Sequence, residues 1–221
     1  MKRLTHIAVA TFILAGTAIA QENIATTPPS TDVAGTLQYF MPGQDDDYDS
    51  GFGAEIQIRF WSCPNLGFAL AGGVASWEVN EQEGVADYGS SAFAASIEGD
   101  VTLVPIGGSI LYRAALADNL NLVLEGGLRY VIVESDATMT FALTEAYGGV
   151  VGGSADMKID NGFVGLVAAN LEAELSPGVS LLGGVGYQFD ITKGDVEWMG
   201  EDFGENELKA FFIRAGLAFD F

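Results

Sequence analysis

Six charged residues set the chemistry this chain could carry: Glu55, Arg59, Glu125, Arg129, Glu172 and Arg214. Each lies in a segment where apolar side chains recur at every second position, and each occupies the opposite phase. Successive side chains of a β-strand point to opposite faces. The six therefore project away from the apolar stripe, and Glu174 shares their phase. Burying a charge without a partner is very costly. Carboxylates and guanidinium groups facing one enclosed space are expected to form ion-pair networks. Counted from the segment ends, Glu55, Arg129 and Arg214 fall in one layer, and Arg59, Glu125 and Glu172 in a second. Such a network can serve as a polar core that locks the fold, or as a gate on a narrow ion path.

Other chemistries lack their residues. The single histidine is His6, inside a segment expected to be removed, so catalysis built on a histidine general base has no candidate. Ser-Lys and paired-carboxylate arrangements find no supporting spacing, and no enzymatic activity is expected. Cys63 is the only cysteine, which excludes an intrachain disulfide and leaves a passive thiol in a turn. The stretch QDDDYDS (Gln44 to Ser50) alternates Asp45, Asp47 and Asp49 in the manner of a calcium loop. It lacks the glycine at position six and the distal glutamate, and is expected to be a solvated acidic loop. No metal and no cofactor is predicted. A formal net charge of −21 speaks against nucleic acid as a partner, since that needs a basic surface.

The elements that position these residues can be read from the alternation itself. Residues 1–20 combine a basic start (Lys2, Arg3), an uncharged apolar run from Ile7 to Ile19 and the small-x-small site Ala18-Ile19-Ala20, which read together as a secretory signal peptide. The run is shorter than the roughly 20 residues a spanning helix needs. Residues 21–31 hold Pro28-Pro29 and form a polar leader. Residues 32–221 are the predicted domain. Eight strands follow, at Val33–Met41, Gly51–Trp61, Leu66–Val79, Gly99–Ala114, Leu120–Glu134, Asn161–Leu175, Ser180–Thr192 and Lys209–Phe221.

Their connections alternate between long or acidic loops and tight turns, and Pro177-Gly178 marks one such turn. The stretch 135–160 leaves room for a hairpin extension. Tyr39, Phe52, Tyr130, Phe163, Tyr187 and Phe211 face outward near the large-loop ends, and Phe60 and Tyr112 lie near the opposite rim. Trp77 and Trp198, at loop bases, are expected to be interfacial anchors. Glycine doublets (Gly72-Gly73, Gly107-Gly108, Gly126-Gly127, Gly183-Gly184) suit the tight curvature of a small barrel, and no helix start follows them to make a phosphate loop.

Hydrophobic residues make up 49% of the chain and the mean hydropathy is +0.28. These values coexist with strong acidity only if the charges collect in loops. Eight long alternating strands, short turns on one side, large loops on the other and two aromatic girdles define an all-β fold. It is an eight-stranded antiparallel up-and-down transmembrane barrel.

The chain resembles small outer-membrane β-barrels of the OmpA/OmpX/OmpW type. The signal peptide, the eight strands and the closing segment FFIRAGLAFDF ending at Phe221 carry that resemblance. It implies that Ile213, Leu217, Phe219 and Phe221 form the signal read by the barrel-assembly machinery. It further implies contact with outer-membrane lipid and lipopolysaccharide in a Gram-negative-type bacterium, both termini in the periplasm, and a monomer. A structural or surface-interaction role with a side-chain-filled polar interior is expected. The alternative is a narrow pore or a transporter of small, hydrophobic solutes of the OmpW type, because the strand at Gly99–Ala114 is apolar on both faces. A soluble secreted barrel is the remaining alternative fold.

Overall fold

The computed structural model describes residues 29–42, 48–79, 82–87, 92–144, 150–192, 194–198 and 201–221. The signal peptide and residues 21–28 of the leader lie outside them, as do Asp45 and Asp47 of the acidic loop. In chain order the strands are β1 (Ser30–Pro42), β2 (Tyr48–Cys63), β3 (Leu66–Val79), β4 (Gln82–Asp87), β5 (Ala92–Glu98), β6 (Asp100–Ala117) and β7 (Leu120–Ser135). Then come β8 (Thr138–Thr144), β9 (Val150–Ile159), β10 (Gly162–Ser176), β11 (Val179–Thr192), β12 (Gly194–Trp198), β13 (Glu201–Asn206) and β14 (Ala210–Asp220). The first strand begins at Ser30, two residues ahead of the predicted domain boundary.

Eight of these close into an antiparallel barrel in the order β1-β14-β11-β10-β7-β6-β3-β2. Closure is made by β1 and β14, where Tyr39 stands opposite Ile213 and Gln38 opposite Arg214. The apolar phase of each strand faces outward, with Leu37 72% and Ile56 62% exposed. The other phase fills the lumen. An outward stripe of this kind is what lipid requires, because the closed barrel satisfies every backbone group internally.

Three two-residue turns, Pro64-Asn65, Asp118-Asn119 and Pro177-Gly178, gather at one rim. Each is tied to the next strand of the wall: Arg113 N–H donates to Asn65 O, Glu174 N–H to Asn119 O and Asp220 N–H to Gly178 O. Gly178 has φ of 80°, a backbone state that a Cβ disfavours. Ser30 and Phe221 lie at this same rim, since Ser30 is in register with Trp61 and Phe221 N–H donates to Thr31 O.

At the opposite rim the large connections are themselves strands. The hairpins β4–β5, β8–β9 and β12–β13 join in a six-stranded sheet, order β13-β12-β9-β8-β5-β4. Sequence reading leaves these stretches as loops, with an extension foreseen only at 135–160. Where a two-residue hydrophobic period occurs there, as at Met139, Phe141 and Leu143 or at Val196 and Trp198, it lies in a segment of only 7 or 5 residues, and β4 and β13 carry none.

The lumen is filled in layers. Towards the large loops Phe40, Trp77, Val101, Leu103, Val131, Val164, Leu166 and Phe212 form an apolar cluster. Tilted ring contacts join Phe40 to Trp77 and to Phe212, at 5.5 and 5.8 Å. Trp77 is 1% exposed, so it belongs to this interior layer and is no interfacial anchor. Its odd-numbered phase in β3 is the inward one, shared with Ala71 and Ala75. The side chain of Trp198 lies outside the described set. Below this layer the interior turns polar.

Candidate functional site

The glycine doublets prepare the polar layer. In each doublet one member faces the lumen: a Cβ on Gly73 would meet the backbone of Ala54 and Glu55, one on Gly107 would meet Leu128 O and Arg129, one on Gly127 would meet Ser109 Oγ and the Arg129 guanidinium, and one on Gly184 would meet Asn170. A Cβ on the outward partners Gly72, Gly126 and Gly183 would touch nothing within 4 Å. The inward glycines therefore give room to large polar side chains from neighbouring strands. This is a more specific role than the curvature expected of them.

Into that space project Glu55 from β2, Glu125 and Arg129 from β7, and Arg214 from β14, all at most 7% exposed. Arg129 Nε lies 3.2 Å from Glu55 Oε2, and its Nη2 lies 3.2 Å from Glu125 Oε1. Arg214 is bonded to Glu125 through Nη2 and stands 3.6 Å from Glu55 through Nη1. Each carboxylate thus faces both guanidinium groups. Remaining donors and acceptors are met by neutral neighbours. Gln57 Nε2 donates to Glu55 at 2.8 Å and to Glu125 at 3.1 Å, and Ser109 Oγ donates to Glu125 at 2.6 Å. Arg129 Nη1 donates to Ser109 Oγ at 2.9 Å and Arg214 Nε to Asn170 Oδ1 at 2.7 Å. A buried network this completely partnered avoids the cost of an isolated charge.

A second charged cluster lies nearer the short turns. Arg59 bonds both Asp32 and Glu172, and Trp61 Nε1–H donates to Asp32 Oδ2 at 2.6 Å. Arg113 Nη2 stands 3.5 Å from Asp32 and from Glu172. Around this second cluster packs a small apolar group of Trp61, Ala69, Leu111 and Val123, with Ala69 in register with Arg59 and Val123 with Arg113.

The predicted residues therefore assemble in two groups, with one regrouping. Glu125, expected beside Arg59 and Glu172, stands between Arg129 and Arg214, and Asp32 takes its place at Arg59. Barrel strands are tilted and staggered, so depth counted along each segment is not depth along the axis. Asp32 escapes notice in the sequence because the first strand is begun at Val33, yet it continues the inward phase of Ala34, Thr36 and Gln38 and pairs in register with Arg59. Arg113 escapes because β6 is apolar on both faces. Glu174, in the inward phase, is exposed at the rim.

On the outside the aromatic residues meet in cross-strand pairs. Tyr39 and Phe52 are 4.9 Å apart, Tyr130 and Phe163 5.0 Å, and Tyr187 and Phe211 4.7 Å. These pairs flank the rim towards the large loops. At the short-turn side Phe60 stacks on Phe68 at 4.8 Å, and Tyr112 stands opposite Leu66 and Leu124. Phe68 is the girdle member missed from sequence. Ile213, Leu217, Phe219 and Phe221 all occupy the outer face of the closing strand and are exposed.

No family model matches the chain, and no curated protein matches it. Solved structures do. The outer membrane protein OprG of Pseudomonas aeruginosa covers 89% of this chain and 98% of its own at 10% identity, with a TM-score of 0.55. A major outer membrane protein of Thermus thermophilus covers 88% and 100% at 14% identity and 0.49. Neisserial surface protein A covers 87% and 97% at 13% identity and 0.48. At these identities only the fold is comparable, and the first of the three carries it. The protein has the fold of the small outer-membrane β-barrels: a closed eight-stranded antiparallel wall with an apolar exterior.

Proposed function

We propose that the protein is an integral outer-membrane barrel whose lumen is closed and whose role is structural or surface-interacting, exerted by the six-stranded sheet above the large-loop rim. The observation that carries this reading is the set of ion pairs crossing the lumen. Arg129 of β7 bonds Glu55 of β2, Arg214 of β14 bonds Glu125 of β7, and Arg59 of β2 bonds Glu172 of β10. None of these pairs joins adjacent strands of the wall. They are struts, and the space of an eight-stranded barrel is filled by such side chains. The apolar cluster of Phe40, Trp77 and Phe212 fills the lumen on the large-loop side of these struts.

Residence in the outer membrane follows from the exposed apolar belt and its paired aromatic rims. Residues 1–20 act as the signal peptide, and the leader and both termini sit in the periplasm with the short turns. Lipid and lipopolysaccharide surround a monomer. Ile213, Leu217, Phe219 and Phe221 present the closing strand to the assembly machinery. With no histidine after His6, histidine-based catalysis has no residue to act through.

A second reading, passage of small hydrophobic solutes, is favoured by one observation: the layer nearest the large loops is apolar, built from Phe40, Trp77, Phe212 and the aliphatic residues around them. Swelling of proteoliposomes separates the two. A closed barrel leaves swelling at the level of empty vesicles for sugars, amino acids and small apolar solutes alike. Solute-dependent swelling favours the transporter.

A further inference from the structure

The short-turn mouth of the barrel holds a cavity of about 380 Å³ bordered by Ser30, Trp61, Cys63, Asn65, Arg113 and Asn121. Among the described residues, none that borders it is acidic. Its floor is a stacked pair, with the Arg113 guanidinium carbon 3.7 Å from the centre of the Trp61 ring. That is close enough for a strong cation–π contact. Trp61 is fixed in turn by its hydrogen bond to Asp32.

Arg113 is held but not saturated. Its Nη2 reaches Asp32 and Glu172 only at 3.5 Å, beyond the roughly 2.7–2.9 Å of a charge-assisted hydrogen bond. Both carboxylates give their short contacts to Arg59 instead. The Arg113 Nε is buried and has no hydrogen-bond partner. An unmet buried donor carries a cost, and among the described residues no protein oxygen completes the guanidinium on that edge. The side chain as a whole remains 24% exposed, at the cavity. Every other interior guanidinium of the described barrel wall is at most 7% exposed and bonded to carboxylates at closer range. Arg113 alone among them combines an open face with an unused donor.

We infer that this mouth binds a small organic carboxylate. A guanidinium meets the two oxygens of a carboxylate as a planar fork, and the Trp61 face and Asp32 fix the plane of Arg113 for that geometry. Asn121 and Ser30 at the rim bond polar groups beside the carboxylate. The site does not depend on whether the lumen conducts or on which side of a membrane the mouth opens.

Cys63 borders the same cavity and is the only cysteine in the chain, so its alkylation rate reports occupancy. The full barrel, folded in detergent micelles at constant ionic strength, is treated with a maleimide in the presence of alanyl-alanine, alanyl-alanine amide or inorganic phosphate. Alanyl-alanine is expected to slow alkylation several-fold in a saturable manner, while the amide and phosphate leave it unchanged. Arg113→Gln weakens the protection by about tenfold or more, and Arg113→Lys keeps part of it. A heat-shifted gel band checks that each variant folds. Asn121→Leu, which leaves Arg113 in place and narrows the cavity, lowers the protection as well. Equal protection by the amide, protection by phosphate alone, no protection by any probe, or full protection in folded Arg113→Gln would each overturn the site.

Discussion

Glu125 receives Arg129, Arg214, Ser109 and Gln57 at one carboxylate, which makes it the hub of the upper charged layer. Removing one member of a buried charge network leaves the others unpaired, at a cost of about 3–5 kcal/mol. Glu125→Ala is therefore expected to lower unfolding free energy by that amount in urea titrations of the lipid-inserted barrel. Pairing it with Arg214→Met recovers part of the loss, because fewer charges then stay uncompensated. A change in Glu125→Ala within about 0.5 kcal/mol, the size of an ordinary surface substitution, contradicts the network. The inward glycines give a second residue-scale expectation. Gly127→Val pushes into Ser109 and Arg129 and should cost about 1–3 kcal/mol as overpacking, whereas Gly126→Val faces open space and should cost far less. Equal losses at the two positions, by the same titration, would deny the inward glycines their role. At this scale the sequence disclosed the phase of the six singled-out charges. It also grouped Glu55 with Arg129 and Arg214, and Arg59 with Glu172; it misplaced Glu125 and missed Asp32 and Arg113, because stagger between strands decides which charges meet.

Ile56 sits on the outer face of β2, midway between Phe52 and Phe60, and is 62% exposed. If the belt faces hydrocarbon, Ile56→Arg places a charge near the bilayer midplane at about 2–4 kcal/mol. The penalty should shrink when the same variant is measured in detergent micelles, and an equal penalty in both media would count against a membrane-facing belt. The barrel strands were legible because each carries one apolar and one polar or small face, so a period of two survives along the whole strand. The closing strand was the plainest, since Phe211, Ile213, Leu217 and Phe219 alternate with Ala210, Arg214, Gly216 and Ala218. The hairpins β4–β5 and β12–β13 were not legible. The alternation in β5 (Phe93, Ile97) and β12 (Val196, Trp198) lies in segments of only 7 and 5 residues, and their partners β4 and β13 have none, so neither hairpin stands out from a loop in the sequence. Trp77 was misplaced for a related reason: proximity to a loop was weighed above phase, and phase decides which side of the wall a side chain takes.

For the molecule as a whole, the exterior belt and the crossed lumen make linked demands. The belt requires detergent for extraction and a folded band that shifts on heating. If residues 1–20 are the proposed signal peptide, the mass of the protein isolated from membranes should match a chain beginning at Gln21; an intact start at Met1 would remove that assignment. The charged clusters each pair two guanidinium groups with two carboxylates, and their struts join strands that lie well apart around the wall. Charge balances within each cluster, and the struts that cross the lumen are the basis of the proposed closure. Conductance across planar bilayers tests that closure most directly, with the unaltered barrel and Arg129→Ala measured side by side. A closed lumen predicts no steady channel from the unaltered protein and, at most, brief openings from the variant. Large, steady channels from the unaltered protein would contradict it.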